Sequence, residues 1–231
     1  MISANSGLEK PRWIYFAGMG AVLLPVIAIR ILALELPLER DEGEFALMGQ
    51  LMLNGVTPYQ EAFGQKLPGI YAAYAAIISI FGENCSGIHL GLLSINLITI
   101  LLIYLIAREL FGFRVAACAA ASYALLSAHQ TVLGLTAHAT HFVVMFAAGG
   151  IVVLLKAFKR EKLLLYFLSG LLFGFGFLMK QPGLLFGICG AILLLLNPET
   201  RRSTFLGEFL LFVSGFLIPY VFVCIWLYAN G

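Results

Sequence analysis

The chain has 231 residues, of which 61% are hydrophobic and only 11% charged, and its mean hydropathy is +0.97. Soluble domains carry about 25% charged residues, so the composition excludes an ordinary soluble protein and marks an all-α, multi-pass integral membrane protein. The net charge of +2 argues against nucleic acid as a partner, and in a membrane protein the side on which charges fall matters more than their sum.

In chain order, the apolar runs predict spans at 13–34, 88–107, 113–128, 141–158, 163–179, 183–196 and 205–228, each close to the roughly 17–25 residues that a crossing needs. The first run is too long for a signal-peptide core and lacks a small-residue cleavage site, so it reads as a retained span. An eighth candidate, 69–82, has fourteen residues and would rise only about 21 Å as a helix against a hydrocarbon core of about 30 Å. The run "YFLSGLLFGFGFL", with Gly170, Gly174 and Gly176, predicts close helix packing. Cys85, Cys118, Cys189 and Cys224 show no metal or redox spacing, and three of them sit in apolar runs as small hydrophobes.

Lysine and arginine collect in short cytoplasmic loops. If 69–82 does not cross and the N-terminus is inside, the cytoplasmic side receives Lys10, Arg12, Arg108, Arg114, Lys156, Lys159, Arg160, Lys162, Arg201 and Arg202, while Arg40, Lys66 and Lys180 face outward. If it does cross, the cations from Arg108 to Lys162 and the Arg201–Arg202 pair move outside, against the preference. The reading is therefore one transmembrane domain over 1–231, with seven spans and an outer loop at 35–87. In that loop Asp41 and Glu44 are spaced as a capping pair, with Phe45, Met48 and Met52 following at helical spacing. They predict an interfacial helix at about 43–54, then the turn-rich "NGVTPYQ" and a second interfacial helix at about 68–82 that opens on Pro68 and carries Tyr71 and Tyr74.

The loop holds the only aspartate, Asp41, together with Glu35, Glu39, Glu42, Glu44 and Glu61. Arg40 lies beside that acidic group, and Lys66 and Lys180 each stand two residues before a proline. Outward lysines at membrane depth need an offsetting anion, and a phosphate at the outer leaflet supplies one. A carboxylate that takes a proton from an acceptor hydroxyl, with cations that stabilise a departing phosphate, is the minimum set for moving a group off a phosphate. One carboxylate on one face suits direct displacement, and so inversion at a sugar carbon. The plainer readings are Asp41 as a helix N-cap, Glu42 and Glu44 as solvated or capping residues, and the lysines and Arg30 as side chains that snorkel to headgroups. His138 and His141 share a helical spacing but lack a third metal ligand of convincing spacing, and Glu208 reads as lying near the cytoplasmic interface.

The order span, "RDEGEFALMGQLMLNG", "GQKLPGIYAAY", span, "ARELFGFRVA" resembles the GT-C superfamily of lipid-linked-sugar glycosyltransferases, in the branch of the bacterial lipid A aminoarabinose transferases and protein O-mannosyltransferases. The resemblance covers essentially the whole chain and implies a module of seven transmembrane helices with two juxtamembrane helices in the first extracytoplasmic loop. By match to the family's acidic motif, Asp41 is the catalytic base, with Glu42 beside it. Lys66-Leu67-Pro68 matches a lysine-proline motif for the donor phosphate, with Tyr71 at its aromatic position, and Lys180-Gln181-Pro182 matches a second lysine motif. Arg40 joins the phosphate set. Where relatives carry an acidic residue between the third and fourth spans, this chain has "LTAHATHF", which leaves His138, His141 and Gln181 as alternatives for an acceptor or sugar contact.

The resemblance implies an inverting glycosyltransferase that uses a polyprenyl-phosphate-linked sugar on the extracytoplasmic face of a bacterial or archaeal plasma membrane. The scheme requires no cofactor, and the acidic cluster leaves weak Mg2+ or Mn2+ binding open. The lipid-linked donor is the expected partner, together with membrane lipid; the acceptor, whether lipid, glycan or protein, stays open. Relatives continue past seven spans, so a partner supplying the later half is a further expectation. Two rivals stand beside this reading: a catalytically silent or accessory module that binds a lipid-linked sugar, and a transporter, which the near absence of mid-span charge disfavours.

Overall fold

The computed structural model describes residues 11–197 and 205–230; Lys10, Arg201 and Arg202, counted above among the cytoplasmic cations, lie outside the described residues. Within them the chain forms nine α-helices, α1 (Arg12–Leu32), α2 (Arg40–Leu53), α3 (Pro68–Phe81), α4 (Cys85–Phe111), α5 (Phe113–Ser127), α6 (Ala139–Arg160), α7 (Leu163–Met179), α8 (Gly183–Leu196) and α9 (Phe205–Asn230), plus a 3₁₀ turn at Gln130–Val132. Four of them, α1, α4, α6 and α9, are long and apolar enough to cross a membrane. Of the other expected spans, α5, α7 and α8 have 15, 17 and 14 residues, about 21–26 Å of helix. Leu24, Leu32, Leu196 and Phe222 stand among many exposed apolar side chains on the bundle exterior, a surface that water would penalise and lipid would not. The chain is a multi-pass membrane protein.

Sequence-distant helix ends meet at one face. Arg30 near the end of α1 donates to the Gly134 and Ser127 carbonyls at 2.6 and 3.0 Å, so it is a buried tie to the end of α5 and not the snorkelling side chain the sequence suggested. Its guanidinium satisfies carbonyls that α5 and the following turn leave open, which is why it stays inside. Lys180 at the end of α7 reaches Thr140 at the start of α6. The Asn230 carbonyl of α9 accepts from Thr57 at 3.3 Å and Gln60 at 2.8 Å in the α2–α3 loop. At the opposite face Lys159 pairs with Glu109, and Phe16 packs on Phe113.

The apolar core at the first face is built by α2 and α3. Phe45, Met48, Ile70, Tyr71 and Tyr74 are almost fully buried against Phe142, Leu178 and Met179. Gly69 permits this packing, since a Cβ there would stand 2.6 Å from the Leu178 carbonyl oxygen. The glycine run of α7 does what its spacing predicts: Gly170 and Gly174 face the backbone of α9 at Phe212 and Phe216, and Gly215 returns the contact at Phe167. Glu208, expected near the cytoplasmic interface at the start of the last span, lies in the first turn of α9 with its side chain buried.

The start of α2 corrects the expected capping pair. Glu39, not Asp41, is the N-cap, and its partner in the capping box is Glu42, not Glu44: the Glu39 side chain accepts from Asp41 N at 2.9 Å, and Glu42 Oε2 accepts from Glu39 N at 2.8 Å. The helix therefore begins three residues earlier than expected, and the Asp41 carboxylate is left free of capping duty.

Candidate active site

Asp41 stands in the first turn of α2 with its side chain 16% exposed. Its Oδ2 lies 3.8 Å from Lys66 Nζ and 3.6 Å from His138 Nε2. Its Oδ1 meets the guanidinium of Arg40 at 3.3 Å, and that side chain is 91% exposed. Three segments thus deliver cationic or N–H groups to one carboxylate: the loop before α3, the N-cap of α6 and α2 itself.

Lys180 extends the group. Its ammonium, which can only donate, lies 3.4 Å from Thr140 Oγ1, and that oxygen lies 2.9 Å from His138 Nδ1. The Thr140 hydroxyl therefore donates to Nδ1, which also accepts from the Thr140 amide at 3.5 Å. Nε2 then carries the ring hydrogen and faces Asp41. Burial, followed by the Lys180 charge, lowers the His138 imidazole below its ordinary value; Asp41 pulls the other way and Lys66 adds to the lowering. A neutral His138 donating toward Asp41 at neutral pH is the result. Lys180 is itself held below its ordinary range, by burial first and then by the Lys66 charge, against the pull of Asp41. The Lys66 and Lys180 charges thus act on each other as well as on Asp41.

The backbone of Lys66 is gripped from both sides. The Tyr59 hydroxyl donates to the Lys66 carbonyl at 2.7 Å, and the Lys66 amide donates to the Tyr71 hydroxyl at 3.3 Å. Tyr71 in turn donates to Glu44 Oε1 at 3.2 Å. The Tyr71 side chain is fully buried, so it cannot reach a phosphate as expected, and it acts through Lys66. Sequence reasoning passed over Tyr59, whose φ of 76° is a left-handed backbone that a tyrosine adopts at a cost of about 1–3 kcal/mol. Gln181 donates to the Gln65 carbonyl at 3.2 Å, joining the two lysine-bearing segments.

Two further expectations change. Glu42, paired with Asp41 as catalytic, is fully buried: it accepts from the Ala137 amide and lies 3.3 Å from His89 Nε2. Burial pushes its carboxyl up, but His89 and the amides of Ala137 and Glu39 outweigh this and hold it below its ordinary value. His141 is 7% exposed and its Nε2 lies 3.2 Å from the Leu133 carbonyl, so it is not placed to contact a sugar or acceptor. Among the described residues no group of three His, Cys, Asp or Glu side chains is placed to hold a metal ion.

Beside the lysines runs an apolar groove of about 640 Å³ between α3, α7 and α9, walled by Pro68, Gly69, Phe175, Met179, Phe222 and Trp226 among others. Pro68 and Met179 bring its lining to within two residues of Lys66 and one of Lys180. The two lysine-bearing segments and an oily trough therefore adjoin.

A family model described as dolichyl-phosphate-mannose-protein mannosyltransferase matches residues 65–228. The match takes in Lys66, His138 and Lys180 and begins after Asp41. No curated protein and no solved structure matches the chain. With well over half of its length matched, and with its apolar helices, the chain belongs to the dolichyl-phosphate-mannose-protein mannosyltransferase family, a membrane glycosyltransferase family of the GT-C superfamily.

Proposed function

We propose that the protein is an inverting glycosyltransferase that takes a sugar from a polyprenyl-phosphate donor on the extracytoplasmic face of a bacterial or archaeal plasma membrane, within a module of seven spans and two juxtamembrane helices. The observation that carries this is the approach of Lys66 and His138 to Asp41, with Lys180 reaching the same His138 through Thr140, at the head of an apolar groove. The groove takes the first isoprene units, and the two ammonium groups hold the phosphodiester and then the phosphate that leaves. The acceptor hydroxyl gives its proton to Asp41 as its oxygen bonds to the anomeric carbon from the side opposite the phosphate, and the carbon–oxygen bond to phosphate breaks. Oδ1 is the oxygen open to that hydroxyl, since it meets only the solvent-exposed Arg40, whereas Oδ2 is turned to Lys66 and His138. Neutral His138 keeps the carboxylate oriented.

The test is donor turnover by protein in lipid bilayers, comparing the parent with Asp41→Asn over a panel of polyprenyl-phosphate sugars. Turnover by the parent that falls about 10²–10⁴-fold in the variant, the range for loss of a general base, with donor binding retained, supports the reading. Binding without turnover in both proteins replaces it with an accessory module that holds a lipid-linked sugar. Absence of both binding and turnover defeats it.

A further inference from the structure

Behind Asp41 lies a second titratable pair that the transfer chemistry does not use. His89, at the start of the second turn of α4, is 4% exposed. Its Nδ1 lies 2.8 Å from the Leu34 carbonyl oxygen, which only accepts, so Nδ1 carries hydrogen. Its Nε2 faces Glu42 Oε1 at 3.3 Å, and the same oxygen receives the Ala137 amide. The Nε2 contact lies within ion-pair distance without hydrogen-bond geometry, and ring and carboxyl are each held by their outer hydrogen bonds to Leu34 and Ala137. A buried pair that is also hydrogen-bonded outward on both sides avoids the usual cost of an uncompensated charge.

What the pair joins gives it a role. Leu34 follows α1, Glu42 is in α2, His89 is in α4, and Ala137 precedes α6. Glu42 is the next residue after Asp41, and Ala137 is the residue before His138. The bond from the Ala137 amide to Glu42 therefore runs one residue away from the gap between Asp41 Oδ2 and His138 Nε2, and it fixes the two backbones whose side chains face each other there. The Lys66 side of the site has its own supports in Tyr59 and Tyr71, so loosening the His89 contact releases one wall of the site and not the other.

We infer that His89 is a positioning residue: through Glu42 and the Ala137 amide it clamps α2 to the segment before α6 and so sets the Asp41–His138 geometry on which transfer depends. This rests on the proposed glycosyl transfer only for its kinetic consequence; the clamp itself is a structural claim with its own readout. In His89→Ala, hydrogen–deuterium exchange rises in peptides covering 133–138 and the first turn of α2, while peptides covering 59–66 keep their protection. The turnover number falls by about 100-fold, the scale of a misplacement near 1 Å, and the KM for the polyprenyl-phosphate donor stays near that of the parent. His89→Gln, which keeps an N–H directed at Glu42, restores protection of 133–138 and recovers a large part of the turnover; it also serves as the test should His89→Ala fail to fold.

Unchanged exchange at 133–138 in His89→Ala overturns the clamp whatever the activity. Raised exchange with undiminished turnover overturns the positioning role, as does a loss that falls on KM alone. A parent that turns over no donor defeats the transfer reading, and the exchange result then still decides the clamp.

Discussion

Removing the Lys180 charge separates a side chain that serves the fold from one that waits for an anion. Lys180 is held below its ordinary range by burial and by Lys66, with Asp41 opposing. A base whose folded value is depressed works against the fold while it is protonated, and the penalty fades as pH rises from its folded value and is gone above its unfolded value. While it is protonated the protein carries this penalty, and its protein contact in return is a 3.4 Å approach to Thr140 at an exposed position. Lys180→Met keeps the aliphatic stem and removes the charge, so the thermal midpoint in detergent stays level or rises. The donor should notice the change. A hydrogen bond to a charged group contributes about 1.5–3 kcal/mol, and at 1.36 kcal/mol per decade this weakens donor binding about 10- to 150-fold. Donor titration, with heat or intrinsic fluorescence as readout, measures the affinity, and a melting curve on the same sample measures the fold. Unchanged donor affinity, or a lower midpoint, would show that Lys180 is a structural residue and refute the reasoning.

Arg30→Met leaves the Ser127 and Gly134 carbonyls without their donor and should destabilise the protein by about 2–4 kcal/mol, read as a lower midpoint in thermal denaturation. Gly69→Ala places a methyl against the fixed Leu178 carbonyl, costs about 1–3 kcal/mol and lowers turnover by parting α3 from α7. Gly43→Ala, which meets open space, instead gains about 0.5–1 kcal/mol of helix stability. His138 has a folded value lowered first by burial, so its contribution to stability is complete above its unfolded value near 6.5 and is lost as pH falls below it. Melting curves between about pH 7 and 5 should show the midpoint falling in the parent and falling less in His138→Gln; parallel curves would remove His138 from the account.

The helices were legible because a bilayer leaves few ways to satisfy a backbone, and apolar runs between loop residues mark them. Even so, α4 and α6 extend beyond their apolar cores into Cys85 and Arg160, since a helix continues until a cap stops it. Asp41, Lys66 and Lys180 were legible as a group because charge is scarce and their loops could be assigned to one side. The finer chemistry was not. In "LERDEGE" four acidic residues compete for one helix start, and only backbone direction decides that Glu39 and Glu42 take the capping box and free Asp41. His89 lies at the head of an apolar run with nothing in its neighbourhood to announce Glu42, 47 positions earlier. Arg30 looked like a headgroup anchor because sequence carries no sign of the carbonyls left open some hundred residues later.

The ties from Thr57 and Gln60 to the Asn230 carbonyl span 173 and 170 residues of chain, and they bear on how the protein is made. The acidic half of the site enters the membrane with the first helices, whereas Lys180 and the α9 wall of the groove follow only after most of the chain has been synthesised. Contacts this distant in sequence close late and slowly. A nascent chain would therefore hold Asp41 without Lys180 or the groove beside it until α9 had docked.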